Sequence, residues 1–117
     1  MKPITFERNT RETQIRLSLG SPTPTIRTTV PMLTHFLEQL NFYADLGLDL
    51  EADDLMPLGD GHHLAEDVAI ALGRAMDQAL GDRANLTRYG QRLLPMDEAL
   101  ATAAIDIGGR PYPVIDR

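Results

Sequence analysis

Apolar and polar residues alternate between Gln14 and Leu19, with Ile15, Leu17 and Leu19 set between Gln14, Arg16 and Ser18. A period of two predicts a half-buried strand, within a stretch from Thr5 to Thr29 that reads as extended. Gly20-Ser21-Pro22-Thr23-Pro24 interrupts that stretch as a turn, and Thr25 to Thr29 reads as a returning strand. The period changes at Pro31. Leu33, Phe36, Leu37 and Leu40 recur at i, i+3, i+4 and i+7, the apolar stripe of a helix. Pro31 suits the first turn, where its missing N–H has no partner, and Thr29 is placed to cap it. His35 lies on the polar side of this helix, away from Leu33 and Leu37. Leu46, Leu48 and Leu50 alternate with Gly47, Asp49 and Glu51, predicting another strand, and a polar turn follows from Asp53 to Gly61. Leu64, Val68, Ala71 or Leu72, Ala75 and Ala79 then predict a second helix over His62 to Leu80, with Gly81 as its C′ residue. Beyond Asp82 the helical pattern stops. Gln91 to Pro95 and Ala99 to Ile107 read as strands, Gly108-Gly109 as a turn, and Arg110 to Ile115 as a segment that pairs back in a hairpin. Strands, helix, strand, helix and strands again make an α+β pattern rather than repeated βαβ units.

Composition narrows the chemistry. The 117 residues suit one domain, and 43% hydrophobic with 24% charged residues is an ordinary globular balance. There is no cysteine, which excludes disulfides, zinc–thiolate sites, iron–sulfur clusters and thiol nucleophiles. A net charge of −6 opposes general nucleic-acid binding and anionic membranes. The first residues, Met1-Lys2-Pro3-Ile4-Thr5-Phe6, lack the apolar core of a signal peptide, and no run approaches the ~18 apolar residues of a membrane helix. The expectation is a soluble, cytoplasmic protein with no nucleic-acid or membrane partner.

The chain has three histidines, His35, His62 and His63. In Asp60-Gly61-His62-His63-Leu64-Ala65-Glu66-Asp67, a helix opening at His62 puts Glu66 at i+4 from His62 and i+3 from His63, and Asp67 at i+4 from His63. Such spacings bring side chains together on a helix surface. Imidazole and carboxylate together suit zinc, manganese, iron or cobalt. The positive end of the helix dipole favours neutral imidazole, the form that binds metal. Adjacent histidines diverge by about 100° on a helix, so they serve two ions more easily than one. The same pattern also suits two solvated residues at a helix start. Glu12, in Arg8-Asn9-Thr10-Arg11-Glu12-Thr13, fits either a general base or a plain edge charge, and Arg88 and Arg110 flank turns where they can hold an anion. No dinucleotide fingerprint, P-loop or GxSxG elbow is present.

Several blocks, taken in order, resemble the imidazoleglycerol-phosphate dehydratase family. They are Arg8-x-Thr10-x-Glu12-Thr13-x-Ile15, Pro31-Met32-Leu33-Thr34-His35-Phe36-Leu37, His62-His63-x-x-Glu66-Asp67, Arg88-Tyr89-Gly90, Pro95-Met96-Asp97-Glu98 and Gly109-Arg110-Pro111-Tyr112. The resemblance implies a two-layer β-β-β-α-β-α repeat of the ribosomal protein S5 domain 2-like kind over residues 1–82. Residues 83–117 would then supply strands of an incomplete second repeat. It implies a metal-dependent hydro-lyase of histidine biosynthesis acting on a small phosphorylated imidazole, with manganese as cofactor. His35, His62, His63 and Glu66 would be metal ligands. Glu12 would contact substrate and move a proton, and Arg88 and Arg110 would bind substrate near its phosphate. It also implies a homo-oligomer, with a second chain as a further source of the family's second HHxxE motif, which is absent from these 117 residues. Thr34, Tyr43 and Gly61 depart from the family pattern. The alternative reading is a non-catalytic oligomeric paralogue, or a fragment, that keeps the fold and a partial metal site.

Overall fold

The computed structural model describes residues 3–56 and 59–116. Positions 57 and 58 of the expected polar turn, and the first two residues of the N-terminal segment, lie outside the described residues. The chain divides into two compact units, Met1–Asp82 and Arg83–Arg117.

The first unit runs β1 (Ile4–Asn9), β2 (Thr13–Leu19), β3 (Ile26–Thr28), α1 (Pro31–Ala44), β4 (Asp49–Asp54) and α2 (His62–Leu80). The strands form one mixed sheet in the order β1-β2-β4-β3, antiparallel except for β3 beside β4. The alternation in β2 decides which face is covered. Thr13, Ile15, Leu17 and Leu19 are buried, as are Leu50 and Ala52 of β4, beneath Leu64, Val68, Ala71, Leu72 and Ala75 of α2 and Leu37 of α1. The architecture is a two-layer α+β unit with both helices on one face, the expected β-β-β-α-β-α order.

The opposite face carries a row of alternating charge across all four strands. Glu7 stands opposite Arg16, Arg16 opposite Glu51, and Glu51 opposite Arg27. Arg16 and Arg27 both reach Glu51, at 3.5 and 4.0 Å, and Arg27 also grips Asp53 through two hydrogen bonds of 3.0 and 3.1 Å. Opposite charges facing each other across strands stabilise a solvated sheet face.

Three expectations need correction. First, the stripe predicted for α1 is only partly internal. Leu37 is buried and Leu33 packs at the core margin, but Phe36 is 62% and Leu40 44% exposed. The helix rests against the short edge strand β3 rather than over the centre of the sheet, so the covered stripe is narrow. Second, Thr29 does not cap α1. The N-cap is Val30, with no side-chain cap bond, and Thr29 Oγ1 instead accepts the Asp54 N–H at 2.9 Å. Third, Arg110 to Ile115 forms no strand. Pro111 and Pro113 lack the N–H groups that a ladder needs at alternate positions.

In the second unit, β5 (Tyr89–Met96) and β6 (Ala99–Asp106) form an antiparallel hairpin closed at Asp97-Glu98. Its side chains are exposed on both faces. Gly81 ends α2 as its C-cap rather than as C′, at φ 58 with its N–H bonded to the Asp77 carbonyl.

Candidate metal and acid–base site

The start of α2 is built by glycine geometry. Gly61 is the N-cap, at φ 82 and ψ 0, the left-handed region that favours glycine. It is buried, and a Cβ there would stand 2.8 Å from Val30 Cγ2. That contact gives a physical reason for glycine at this position. Asp60 Oδ1 accepts the His62 N–H at 2.9 Å, satisfying one donor of the first turn.

The two histidine rings stay in edge contact, with centroids 5.2 Å apart and 72° between planes, although each meets a different carboxylate. His62 Nε2 lies 3.5 Å from Glu66 Oε2, one turn along the helix, and both are exposed. His63 Nδ1 lies 2.9 Å from Glu12 Oε2. The structure therefore brings together His62 with Glu66 and His63 with Glu12, two imidazole–carboxylate pairs side by side. His35 is exposed on α1 and lies 6.1 Å, centroid to centroid, from the Phe36 ring. Among the described residues, no three His, Asp or Glu side chains converge on one point for a cation.

Glu12 is held by a tight loop between β1 and β2. Thr10 Oγ1 accepts the N–H groups of Glu12 and Thr13 at 3.1 and 3.0 Å. The Thr10 N–H donates to the Thr13 carbonyl at 2.9 Å, and the Leu55 N–H donates to the Glu12 carbonyl at 2.8 Å.

Asp67 is not a partner of His63, although its i+4 spacing allowed that. It is buried and turned toward the sheet. Thr13 Oγ1 donates to its Oδ2 at 2.6 Å, and Arg8 Nε and Nη2 both approach its Oδ1 at 3.2 Å. Sequence reasoning missed this trio, but its signal was present. Arg8 follows Ile4 and Phe6 at period two, and Thr13 precedes Ile15 and Leu17 in the same way, so both point at the covered face.

The arginines belong to the second unit. Arg88 forms a fork on Asp106, with bonds of 2.6 and 3.1 Å, and its guanidinium lies 5.2 Å from the centroid of the Tyr89 ring. The hydrogen bond from Arg88 holds the Asp106 carboxyl below its ordinary pKa against the opposing effect of desolvation, with lesser help from the charges of Arg88 and Arg110. The same bond raises the pKa of Arg88. Arg88, Asp106, Arg110 and Tyr112 line an open groove. It is a cationic recess with one resident carboxylate, suited to an anion that competes with Asp106.

Comparison with known proteins gives a consistent answer. A family model described as imidazoleglycerol-phosphate dehydratase matches residues 28–117. An imidazoleglycerol-phosphate dehydratase of Pyrobaculum calidifontis is 49% identical over 113 residues, 96% of this chain and 60% of that protein. One from Lactococcus lactis is 47% identical, covering 99% of this chain and 60% of the relative. The crystal structure of imidazoleglycerol-phosphate dehydratase from Staphylococcus aureus superposes with a TM-score of 0.75 at 34% identity, over 95% of this chain and 61% of that one. The chain thus spans about 60% of the length of these relatives. With the family model matching most of the chain, including part of the first unit and all of the second, and the fold shared with a solved member, the chain belongs to the imidazoleglycerol-phosphate dehydratase family.

Proposed function

We propose that the chain supplies the acid–base half of a metal-dependent dehydratase acting on imidazoleglycerol phosphate. The observation that carries this reading is the 2.9 Å contact between His63 Nδ1 and Glu12 Oε2, beside the His62–Glu66 pair, at the head of α2. Loss of water takes a proton from one carbon and hydroxide from its neighbour. Glu12 is the group we assign to the proton. Its side chain is 43% exposed, so a substrate can reach it, and its neighbour His63 holds one of its two oxygens.

The donor set fits a divalent transition-metal cation such as manganese, since it combines imidazole with carboxylate. His62 with Glu66, and His63, are the residues that would hold it, with His35 as a further donor. Bound there, such an ion supplies Lewis-acid stabilisation of developing charge and orients the substrate imidazole. Each pair offers two donors, fewer than the ~4–6 that such ions take. The reading therefore includes a homo-oligomer, or a second chain, that completes the set. Arg88 and Arg110 are assigned to the substrate phosphate, which displaces Asp106. No helix among the described residues is long and apolar enough to cross a membrane, and a cytoplasmic location is part of the proposal.

The test is turnover of imidazoleglycerol phosphate with added Mn²⁺ across a range of protein concentrations. Activity is expected to rise with assembly, to fall with chelator, and to be lost in Glu12→Gln and His63→Ala. Absence of turnover at saturating Mn²⁺ and every concentration would reject the enzyme. A second reading, a non-catalytic assembled relative, is favoured by the absence of any three converging donors among the described residues. It predicts an oligomer whose size and stability ignore chelator.

A further inference from the structure

We infer that Asp67 is a positioning residue, which sets the direction of a hydrogen-bond relay through Thr13 and Thr10 and thereby holds Glu12 against His63. The inference rests on the reading above for its purpose, but its geometry stands by itself. As a carboxylate paired with Arg8, Asp67 accepts hydrogen bonds and donates none. The Thr13 hydroxyl must therefore spend its proton on Asp67 Oδ2, at 2.6 Å. The 3.1 Å contact between the two threonine hydroxyls then has one possible direction, with Thr10 donating to Thr13. The Thr10 oxygen, its own proton given to Thr13, accepts the N–H groups of Glu12 and Thr13 on its lone pairs. The relay is closed at every joint. It begins on α2, four residues after His63, and ends at the backbone of Glu12, the residue whose side chain meets His63 at 2.9 Å. One carboxylate thus fixes both partners of the catalytic pair, one through the helix and the other through the loop.

Thr13 is fully buried and Asp67 nearly so, at 0% and 9% exposure, so water does not substitute for either. Orientation of a histidine by a carboxylate also selects its tautomer. In the inferred arrangement Glu12 accepts from Nδ1–H across the 2.9 Å contact, which would leave Nε2 of neutral His63 as its lone pair.

The test reads His63 directly. Ring ¹⁵N signals of the metal-free chain are recorded well above the ordinary histidine pKa of ~6.5, with Glu12→Gln defining the pattern without the carboxylate. We expect His63 to be protonated at Nδ1 in the wild type. Thr13→Val and Asp67→Asn should move it toward the Glu12→Gln pattern, and Thr13→Ser, which keeps the hydroxyl, should restore the wild-type one. A merely structural role would shift thermal stability without moving these nitrogens. A folded Thr13→Val with the wild-type His63 pattern would overturn the inference, as would equal shifts in Thr13→Val and Thr13→Ser. Should Thr13→Val fail to fold, Thr10→Ala at an exposed position cuts the same relay, with the same expected and overturning results. Mn²⁺ titration adds a second arm, in which Thr13→Val is expected to bind about 10-fold or more weakly. A chain that binds no Mn²⁺ rejects the metal reading, while the His63 nitrogens still decide the positioning.

Discussion

Replacing Gly61 by alanine tests whether the head of α2 is set by backbone geometry. Two costs add at this position. The residue sits at φ 82, and an L-residue in the left-handed region costs about 1–2 kcal/mol. The new methyl would lie 2.8 Å from Val30 Cγ2, closer than real side-chain carbons approach. Val30 is β-branched and caps α1, so it cannot swing aside without disturbing a second helix. Overpacking of this kind costs about 1–3 kcal/mol. The expected total is about 2–5 kcal/mol, a large share of the 5–15 kcal/mol typical of a domain. At about 4–8 °C per kcal/mol for a unit of this size, the melting temperature should drop by at least ~10 °C. The assay is thermal unfolding followed by circular dichroism, in a double-mutant cycle with Val30→Ala. Removing the valine methyls should recover the steric part and leave the conformational part, giving a coupling of about 1–3 kcal/mol. A Gly61→Ala protein within ~0.5 kcal/mol of wild type, the ordinary range for harmless substitutions, would refute the reasoning. So would strict additivity with Val30→Ala, which would place the cost outside this contact.

Gly73 is the opposite case. It is exposed in the middle of α2 with nothing within 4 Å of a built Cβ, so Gly73→Ala should stabilise the fold by about 0.5–1 kcal/mol in the same melts. Leu50→Ala removes a core side chain that is 1% exposed and should cost about 2–5 kcal/mol by urea unfolding. Hydrogen bonds from the Thr25 N–H and hydroxyl lower the Asp49 pKa, and the hydrogen bond and charge of Arg27 lower that of Asp53. Groups depressed in the folded state stabilise above their unfolded pKa of ~3.9 and lose that contribution as pH falls through the folded value. Asp49→Asn and Asp53→Asn should therefore each flatten the stability curve on its acid limb below about pH 4, and salt should weaken the Asp53 part more, since hydrogen bonds from Thr25 lead the Asp49 shift. Asp106→Asn removes the resident anion from Arg88 and Arg110, and inorganic phosphate should bind the variant more tightly than the wild type in a ³¹P titration.

The helix α2 was legible from end to end, because Leu64, Val68, Ala71, Leu72 and Ala75 are buried at helical period and glycine stands at both caps. β2 was equally plain, since one of its faces is wholly internal. Strand β1 was harder to separate within the extended stretch, because its inward set ends in Arg8, a charge whose partner lies 59 residues away. The α1 stripe misled, because hydrophobicity at the right period does not say whether a second layer covers it. At the candidate site, spacing on the helix announced the His62–Glu66 pair. The His63–Glu12 pair joins a helix to a loop 51 residues earlier, a distance no local pattern encodes. Asp67 read locally as the i+4 neighbour of His63, and its actual partners, Thr13 and Arg8, lie 54 and 59 residues earlier.

The sheet order places β4, the last strand of its unit to be synthesised, between β2 and β3. During synthesis at about 5–20 residues per second, β1 and β2 can pair at once, but an isolated hairpin is marginal in water. β3 has no partner until Asp49–Asp54 arrives, and that strand in turn needs α2 to cover Leu50 and Ala52. The nascent chain is therefore committed to a wait, with Ile15, Leu17 and Leu19 uncovered, until its central strand is threaded in. A sheet whose central strand arrives last is expected to close in one late step rather than progressively, and the head of α2, where both histidine pairs sit, would take shape in that same step.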